Sequence, residues 1–514
     1  MAGLEQQLFA SGLPVEALME KAALAISRRL LERHRPQLER QGALVLVGPG
    51  HNGGDGLVVA RELHLAGLAV RIWCPFERLK PLTETHLRHA LWLGISRLAD
   101  PPDPGEAPIW IDALLGINQS RAAGERLEVL LAERQRRQPN RLVAIDVPTG
   151  LCADTGRLTG AVAARAGCTY SVGLLKTGLI QDSALAWVGE LERLELGLPA
   201  ALLQALPHSQ PLGLGTADLA RAPWPQADRA AGKYERGRLL LVAGSERYRG
   251  AAHLALAGAR ASGCGSVRAA LPAALAEQLW QLFPEVVLAG SPGETEGELA
   301  PLAQLTRQHL ERVDGLLVGP GLGAGRDAAG GPDIWELLQG FPGLLVLDAD
   351  GLNQLALTQA GRQESGVHRW LQGRGGATWL TPHAAEFQRL FPELAAAPPL
   401  EAAAVAAQAS GATVLLKGAR SVVAAADGRR WQLLDAEPRV ARAGLGDVLA
   451  GYAAGLGARG LAAHGQVDPG LLALAALAHA EAGRRAAHEG DCSPGAVAQR
   501  LNGICRTELA LGRE

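Results

Sequence analysis

The sequence A-G-L-G-D-V-L-A-G at residues 443–451 joins a glycine turn to the start of an apolar helix. Gly444 and Gly446 allow a tight turn, and the helix start offers unpaired N–H groups with a partial positive charge. Such a helix start binds anions, including phosphate groups. Asp447 stands at this point, where it can act as a general base on a hydroxyl that accepts a phosphoryl group, or can simply cap the helix.

Upstream of this turn, short apolar segments alternate with helical stretches and with loops that carry glycine or aspartate. The predicted strands cover residues 238–243, 266–271, 315–318, 344–347, 378–380 and 413–416. The loops after them include G-S-E-R-Y-R-G-A-A, G-P-G-L-G-A-G, D-A-D-G-L-N, T-P-H-A-A-E-F and K-G-A-R-S. The alternation predicts a parallel α/β sheet whose functional residues lie at the carboxyl ends of the strands.

Several of these loop residues suit nucleotide chemistry, and each also has a simpler explanation. Lys417 offers a charge for a phosphate or ribose, although a lysine taken alone is more often a solvated surface residue. The glycines of residues 319–325 allow close approach of a planar or phosphate group, or form an ordinary turn. His383 can donate to a substrate or cap its turn. Asp350 or Glu386 can help to place Mg²⁺ with nucleotide phosphates.

The first half of the chain begins its sheet with a strand at residues 43–47 and the loop G-P-G-H-N-G-G-D-G at residues 48–56. A helix over residues 57–66 and a strand over 69–73 complete a βαβ unit. The loop satisfies G-x-G-x-x-G, yet no convincing acidic residue ends the second strand, so a dehydrogenase is not indicated. An aspartate would repel a phosphate; Asp55 therefore indicates a nearby cation or sugar hydroxyl.

Two further predicted strands of this half end in carboxylates. Asp112 follows residues 109–111, and Asp146 follows residues 142–145 and precedes V-P-T-G. Because ligands bind outside the carboxyl ends of parallel strands, these carboxylates can converge with Asn52, Asp55 and Thr149 on one rim. A single aspartate at such a place is more often a loop cap, whereas three at successive strand ends favour a shared site.

The segments N-G-G-D-G-L-V-V-A-R, I-D-A-L-L-G and A-I-D-V-P-T-G make this half resemble the NAD(P)H-hydrate epimerase family. The resemblance implies a Rossmann-like fold and interconversion of the R and S epimers of NADH or NADPH hydrated at nicotinamide C6. It implies a potassium ion held by Asn52, Asp112 and Thr149, with Asp146 as the acid/base group. The implied substrate contacts are His51, Asn52, Gly53, Gly54, Asp55, Gly116, Asn118, Arg121 and Asp146.

The first half departs from the family pattern at three places. The family usually has Asn where His51 stands and Ser where Thr149 stands. The loop G-I-N-Q-S-R at residues 116–121 replaces the more usual G-T-G-L-x-R. A binding domain without catalytic activity therefore stays an alternative for this half.

The ordered blocks of the second half, from about residue 233 to the C-terminal helices, resemble the NAD(P)H-hydrate dehydratase family, which has the ribokinase-like fold. The resemblance implies that Asp447 activates the C6 hydroxyl for phosphorylation, after which phosphate leaves and the C5–C6 double bond returns. It implies ADP as co-substrate, and Mg²⁺ is expected with the nucleotide from the carboxylates of Asp350 and Glu386. The implied contacts with the S epimer are Ala252, Gly319, Gly321, Gly323, His383, Glu386 and Asp447. The implied nucleotide contacts are Lys417, Gly418, Ala419, Arg420, Ser421 and Gly446. The family usually has a small residue where Leu445 stands.

Length and composition bound the remaining possibilities. The 514 residues predict two domains, 1–214 with a linker from about residue 198, and 215–514. A net charge of -2 argues against a nucleic-acid partner, and six scattered cysteines indicate reduced thiols. Without a signal pattern or a long uncharged apolar run, we expect no membrane contact and a cytoplasmic location. We also expect a homo-oligomer.

The two halves together resemble the bifunctional NAD(P)H-hydrate repair enzymes. In that arrangement the epimerase supplies the single epimer that the dehydratase accepts. The alternative is a ribokinase-like kinase of a small molecule, of vitamin or sugar type, with an N-terminal domain that binds nucleotides without turnover.

Overall fold

The computed structural model describes residues 1–226, 228–289, 302, 305–323, 331–360, 366–435 and 437–511. It divides into two compact units, residues 1–206 and residues 207–514. Each unit is built on its own sheet.

The first unit contains a seven-stranded parallel sheet in the order β3-β2-β1-β4-β5-β6-β7. The strands are β1 (Ala43–Val47), β2 (Val70–Trp73), β3 (Ser96–Leu98), β4 (Ile109–Ala113), β5 (Leu142–Ile145), β6 (Cys168–Val172) and β7 (Glu190–Leu194). The chain order reverses between β1 and β4, which opens a crevice at their carboxyl ends. The predicted Rossmann-like arrangement is confirmed, and Asp112 lies within β4 rather than after it.

The helices of the first unit cover the sheet. They are Ala2–Ala10, Val15–Gln41, His51–Leu65, Pro81–Trp92, Glu125–Arg137, Leu185–Val188 and Ala200–Gln204, with 3-10 turns at Thr177–Ile180 and Asp182–Ala184. The helix after β1 begins at His51, six residues before the predicted start, so most of the predicted loop is helix. A Cβ on Gly53 would lie 2.0 Å from the carbonyl oxygen of Gly48. Glycine at position 53 therefore lets the helix start close against the end of β1.

The second unit contains a ten-stranded sheet in the order β11-β10-β9-β12-β13-β14-β15-β16-β17-β8. The strands are β8 (Leu212–Leu214), β9 (Arg238–Val242), β10 (Ser266–Ala270), β11 (Val287–Leu288), β12 (Gly315–Val318), β13 (Leu344–Leu347), β14 (Thr378–Leu380), β15 (Thr413–Leu416), β16 (Val422–Ala424) and β17 (Arg430–Leu433). The strands from β9 to β15 are parallel, as predicted. A wholly parallel sheet is wrong, because β16 runs antiparallel to β15 and β17. The connections on both sides of β16 are too short for the crossover that parallel strands need.

Helices pack on the sheet of the second unit. They are Arg249–Ala261, Ala273–Ala276, Leu279–Leu282, Arg307–Leu310, Gly331–Gln339, Asp350–Ala360, Gly366–Gln372, Ala384–Leu390, Pro399–Ser410, Leu445–His464, Gly470–His488 and Pro494–Leu511, with 3-10 turns at Thr216–Arg221, Pro392–Leu394 and Pro438–Val440. Helix Leu445–His464 is buried along most of its length and packs closely on helix Arg249–Ala261. The second unit is therefore an α/β fold built on a mostly parallel sheet, as the sequence predicted.

The division between the units lies earlier than the sequence indicated. Strand β8, placed by the sequence in the first domain, pairs with β17 of the second sheet. The segment expected to be a linker holds this strand and Trp224, whose Nε1 donates to the carbonyl oxygen of Leu219 over 3.1 Å. Pairing with β8 gives β17 the second neighbour that an edge strand lacks.

The cysteines and the long helices bear on the predicted reduced thiols and the predicted lack of membrane contact. Five cysteines there are free thiols, as expected, while the side chain of Cys505 lies outside the described residues. Within the described ranges, no helix is both long and apolar enough to cross a membrane. Gly325, at the end of one predicted glycine loop, also lies outside those ranges.

Candidate active sites at the strand ends

The first site is built around Asp112, a fully buried carboxylate in β4. Its oxygens accept hydrogen bonds from the Thr149 Oγ1 and backbone N, both at 2.8 Å, and from the Leu114 N at 3.2 Å. Burial raises the pKa of Asp112, and these hydrogen bonds oppose the rise. No cationic side chain among the described residues forms an ion pair with it. A buried carboxylate without a cationic partner suits a bound cation.

In the loop after β4, the side chain of Gln119 is buried, whereas that of its neighbour Asn118 is exposed. Gln119 Oε1 accepts from the Gly150 N at 2.6 Å, and Nε2 donates to the carbonyl oxygens of Leu115 and Pro148. Asn118 and Arg121, two of the predicted contacts, are exposed, and neither forms a hydrogen bond within the described part of the site. Gln119, which was not among the predicted contacts, is thus the residue that fixes this loop to the start of the segment after β5.

Gly116 and Asn52 lie together, as predicted. A Cβ on Gly116 would be 3.3 Å from the Cβ of Asn52, and Asn52 Nδ2 donates to the Leu115 carbonyl oxygen at 3.2 Å. His51 is exposed at the start of its helix. Gly53 is buried, and Gly54 is buried against Met19, where a Cβ would lie 2.8 Å from the side-chain sulfur. These two glycines pack closely against protein, so a side chain at either position would require neighbouring atoms to shift, and their contact with substrate stays a prediction.

Asp146 occupies a strained position directly after β5, with a φ of 66°. Its Oδ1 accepts from the Nζ of Lys176, which is an ion pair, and from the Val172 N at 3.1 Å. Lys176 was missed by the sequence analysis, although L-L-K-T-G carries the same local pattern as the L-L-K-G that drew attention to Lys417. Asp55, on the adjacent helix, has a pKa raised well above its ordinary range by burial and by Asp146.

The second site gathers around the start of helix Leu445–His464. Gly444 precedes it with a φ of 94°, a conformation that favours glycine. The side chain of Leu445 packs against the hydrophobic core, so it does not crowd the first-turn N–H groups. A Cβ on Gly446 would lie only 3.3 Å from the Nζ of Lys417. The predicted anion site and the predicted nucleotide lysine are thus adjacent.

Lys417 is held by a carboxylate that the sequence analysis did not select. Its Nζ contacts Asp348 Oδ1 at 2.7 Å, and Thr381 Oγ1 donates to the same oxygen at 2.8 Å. Burial lowers the pKa of Lys417, but Asp348 and Glu386 outweigh burial and raise it overall. Lys417 is therefore a paired cation at the strand ends and not a solvated surface lysine.

Asp447 lies near other carboxylates, and both burial and these charges raise its pKa. Burial and then Asp348 raise its pKa to about 7, while Lys417 lowers it; Asp350 and Glu386 add to the rise. A carboxylate that titrates near neutrality can both accept and hold a proton under physiological conditions. This is the strongest chemical signature in the second unit.

His383 and Glu386 form a capping arrangement at the start of helix Ala384–Leu390. His383 Nδ1 accepts from the N–H groups of Ala385 and Glu386, and Glu386 Oε2 accepts from the His383 N at 2.8 Å. The His383 Nε2 lies 3.2 Å from Glu386 Oε1, and half of the His383 side chain is exposed. The sequence left capping and substrate contact open for His383; the geometry gives the cap, and the exposed ring stays available to a ligand.

Four further residues predicted for the second site are buried: Ala252, Gly319, Gly321 and Gly323. Ala252 is fully buried beneath Gly244, and its contact with the S epimer stays a prediction. The buried glycine loop is fixed by the Gly323 N, which donates to Asp350 Oδ2 at 2.8 Å. A Cβ on Gly319 would lie 1.7 Å from the Asp348 carbonyl oxygen, and Gly321 is packed against Tyr248 and Ala251.

The turn after β15 carries the predicted nucleotide contacts. Gly418 and Ala419 are exposed, Arg420 is buried, and Ser421 Oγ bonds back to the Gly418 backbone. Its exposed backbone follows Lys417 directly, so a nucleotide bound by Lys417 would reach it.

Comparison with known proteins places both units. Residues 15–178 match the family model described as YjeF-related protein N-terminus, and residues 239–504 match the model described as NAD(P)H-hydrate dehydratase. The chain is 42% identical over 453 residues to the bifunctional NAD(P)H-hydrate repair enzyme of Gloeobacter violaceus, covering 87% of this chain and 85% of that one. The chain belongs to the bifunctional NAD(P)H-hydrate repair enzyme family. A relative in Synechocystis with the same description is 40% identical over 487 residues, covering 94% of this chain and 88% of that one.

Within this repair enzyme family, both model matches coincide with a unit that carries a strand-end site. The first match contains Asn52, Asp112 and Asp146, and the second contains Lys417 and Asp447. Among solved structures, the ADP/ATP-dependent NAD(P)H-hydrate dehydratase of Bacillus subtilis, co-crystallized with ATP and Mg²⁺, has a TM-score of 0.47 and 24% identity, covering 58% of this chain and 99% of that one.

Proposed function

We propose that the chain repairs hydrated NADH and NADPH. The first unit interconverts the R and S epimers at nicotinamide C6, and the second unit dehydrates the S epimer with ADP as co-substrate, giving AMP and phosphate. The observation that carries the proposal is Asp447, a near-neutral carboxylate at an anion-binding helix start beside the Lys417–Asp348 pair.

For dehydration, Asp447 would take the proton of the C6 hydroxyl as that oxygen attacks the terminal phosphorus of the nucleotide. Phosphorylation converts a poor leaving group, hydroxide, into a good one, phosphate. Lys417 and the first-turn N–H groups at Gly446 would stabilise the charge on the transferring group. His383 and the loop at Gly319, Gly321 and Gly323 would hold the S epimer.

For the nucleotide, Gly418, Ala419 and Ser421 would contact ribose or phosphate beside Lys417, with buried Arg420 supporting the turn. Mg²⁺ suits the carboxylates of Asp350 and Glu386, because it keeps waters and needs few protein ligands. When bound, Mg²⁺ would neutralise phosphate charge.

For epimerisation, Asp146 would act as the acid/base group, and Asn52, Asp55, Gly116 and His51 would surround the hydrated ring. A potassium ion fits the neighbouring set of Asn52, Asp112 and Thr149. All three offer oxygen atoms, and buried Asp112 forms no ion pair with a described side chain. When bound, K⁺ would supply that counter-charge and order the loop after β4.

The potassium proposal is tested by changing one atom group at Thr149. In the unaltered chain we expect K⁺ to raise the melting temperature of the first unit more than the larger tetramethylammonium ion does. In Thr149→Val, which lacks the hydroxyl oxygen, this difference should disappear. Thr149→Ser keeps the oxygen and should keep that stabilisation. Equal stabilisation by K⁺ in both variants would contradict the assignment.

The function itself is tested with mixed R and S hydrates of NADH in the presence of K⁺ and Mg²⁺. Recovery of dihydronicotinamide absorbance is followed with ADP, with ATP and without nucleotide. Complete recovery with ADP, faster than uncatalysed epimerisation, is the expected result. A stall after the S epimer is consumed would contradict an active epimerase unit. No recovery with any nucleotide would contradict the dehydratase assignment and favour a small-molecule kinase.

Two further expectations concern the oligomeric state and the cellular location of the chain. We expect a homo-oligomer, measured by light scattering of the purified chain. We also expect a cytoplasmic location, where the pools of NADH and NADPH are used.

A further inference from the structure

Three ionisable side chains come from segments that follow strands of the first sheet at its carboxyl-end edge: Asp55 from helix His51–Leu65 after β1, Asp146 from the turn after β5, and Lys176 from the segment after β6. The charges of Asp146 and of Glu5, in helix Ala2–Ala10, raise the pKa of Asp55, and the charge of the Met1 amino group acts on Glu5. Among the three carboxyl groups, Asp146 is the one paired with the Lys176 ammonium group. Full ionisation of all three acids would leave uncompensated negative charge in a half-buried place, which is unfavourable.

Lys176 is assigned to one of these acids by its hydrogen bonds. Its Nζ donates to Asp146 Oδ1, to the Val172 carbonyl oxygen at 2.7 Å and to Ser171 Oγ at 3.5 Å. These three acceptors use all three ammonium protons, and only 6% of the side chain is exposed. The ammonium group is therefore held in one place and cannot move to another carboxylate.

Asp146 keeps one oxygen available. Oδ1 takes the Lys176 ammonium and the Val172 N, whereas Oδ2 accepts no hydrogen bond from a described residue. Its side chain is 17% exposed, so a ligand can reach that free oxygen.

Asp55 has a different environment. Within the described ranges its carboxyl group forms no ion pair and accepts no hydrogen bond. Burial, Asp146 and then Glu5 raise its pKa, and Lys176 opposes the rise. A carboxyl group without a partner beside an ionised one holds its proton.

We propose that Lys176 is a positioning residue that gives Asp146 a fixed counter-ion and leaves Asp55 without one, so that the first site holds an ionised base and an uncharged acid. This inference rests on the proposed epimerisation and adds two roles to it. Lys176 acts through Asp146, and Asp55 is a catalytic acid.

The two groups suffice for epimerisation at C6 of the hydrate. Asp55 donates its proton to the C6 hydroxyl, the C6–O bond breaks with its electron pair on oxygen, and water leaves a ring cation stabilised by the adjacent nitrogen. Water then adds to the opposite face, and Asp146 accepts the proton that this water releases. The proton returns from Asp146 to Asp55 through solvent, so atoms and charge balance over one turnover.

The test uses the full chain and the purified R epimer of NADH hydrate without ADP, so that dehydration is silent. The appearance of S epimer is followed chromatographically across a range of pH. For the unaltered chain we expect a bell-shaped profile, because Asp146 must be ionised and Asp55 protonated.

Three lysine variants separate a charge role from a structural one. Lys176→Met should lower the rate about a hundredfold near neutral pH and move the acidic limb upward, because Asp146 loses its cation. Lys176→Arg should recover at least part of the rate and the original limb. Lys21→Met, at an exposed lysine of the same unit, should leave the profile unchanged. An unmoved acidic limb in Lys176→Met would overturn the proposal.

A second measurement does not depend on turnover or on the lysine variants folding. Infrared spectroscopy near neutral pH should show a protonated carboxyl band that Asp55→Asn removes and Asp146→Asn does not. Absence of a band sensitive to Asp55→Asn would overturn the assignment of the acid. If the unaltered chain fails to convert R to S, the proposed epimerisation fails, while the infrared result still decides the protonation of Asp55.

Discussion

Asp447 links activity to stability at the scale of a single residue. Its folded-state pKa, raised to about 7 by burial and by Asp348, exceeds the ordinary carboxyl value, so the folded chain binds this proton more tightly than the unfolded chain. The stabilising contribution is therefore fully present at acidic pH below the unfolded value. It is lost as the pH rises through about 7.

Asp447→Asn should abolish ADP-dependent dehydration and leave R-to-S epimerisation intact. Because asparagine carries no charge, we also expect it to raise the free energy of unfolding of the second unit by about 1–3 kcal/mol at mildly alkaline pH, and by less at mildly acidic pH. Denaturant titrations of the full chain at the two pH values measure this difference. Retained dehydration would remove Asp447 as the base, and a gain independent of pH would contradict the raised pKa.

Lys417 also affects the pKa of Asp447. Since Lys417 lowers the pKa of Asp447, Lys417→Met should shift the acidic limb of dehydration to higher pH, by about one unit. The rate is measured at saturating ADP, because the substitution should also weaken nucleotide binding. Lys417→Arg keeps the charge and serves as the control, with a limb near that of the unaltered chain. An acidic limb that does not move in Lys417→Met would show that the lysine acts on binding alone.

At the scale of elements, helix Leu445–His464 holds its first turn in place through glycine contacts with helix Arg249–Ala261. A Cβ on Gly258 would lie 2.1 Å from the Val448 carbonyl oxygen, and one on Gly451 would lie 1.9 Å from the Ala255 carbonyl oxygen. Such short separations mean that the two backbones touch directly. The position of Asp447 therefore depends on residues of a different helix.

Gly258→Ala should force these helices apart, destabilising the second unit by about 1–3 kcal/mol. Dehydration should fall as well, because the first turn of the helix moves, while epimerisation stays unchanged. Gly250→Ala lies in the same helix with nothing within 4 Å of its Cβ, and should be neutral or slightly stabilising. Thermal unfolding and both activities are compared in the two variants. Equal effects in the two variants would contradict close packing at Gly258 as the cause of the loss.

At the scale of the whole molecule, two compact units each carry their own strand-end site. The residues named for each site come from a single unit. We expect the S epimer to pass between active units through solution.

A mixture of two inactive-site variants tests this independence. Asp146→Ala alone should stall on mixed hydrates once the S epimer is consumed, and Asp447→Asn alone should produce no NADH. An equimolar mixture should recover all the substrate, at a rate that rises with protein concentration. Failure of the mixture to exceed the Asp146→Ala variant alone would contradict independent sites.

Local patterns in the sequence determined the strands and the chemistry offered at their ends. Strands β12, β13, β14 and β15 have the predicted bounds, because buried parallel strands appear as short continuous apolar runs. Asp112, Asp146 and Lys417 were also identified from their place after such runs, and Asp447 from its place between a glycine turn and an apolar helix. Helix starts were predicted less well. The glycine-rich residues 50–56 resemble a loop, yet the helix begins at His51 because Gly53 allows it to pack closely on the end of β1.

Only the tertiary structure decided which charged groups are partners. Lys176 pairs with Asp146 across 30 residues, and Lys417 with Asp348 across 69. Strand β8 likewise joins β17 from the far end of its unit. Hydrophobic periodicity records whether a residue is buried, but it carries no information on which distant group lies opposite. That choice, and with it the protonation of Asp55 and Asp447, follows from strand order and from how closely the helices approach the sheet.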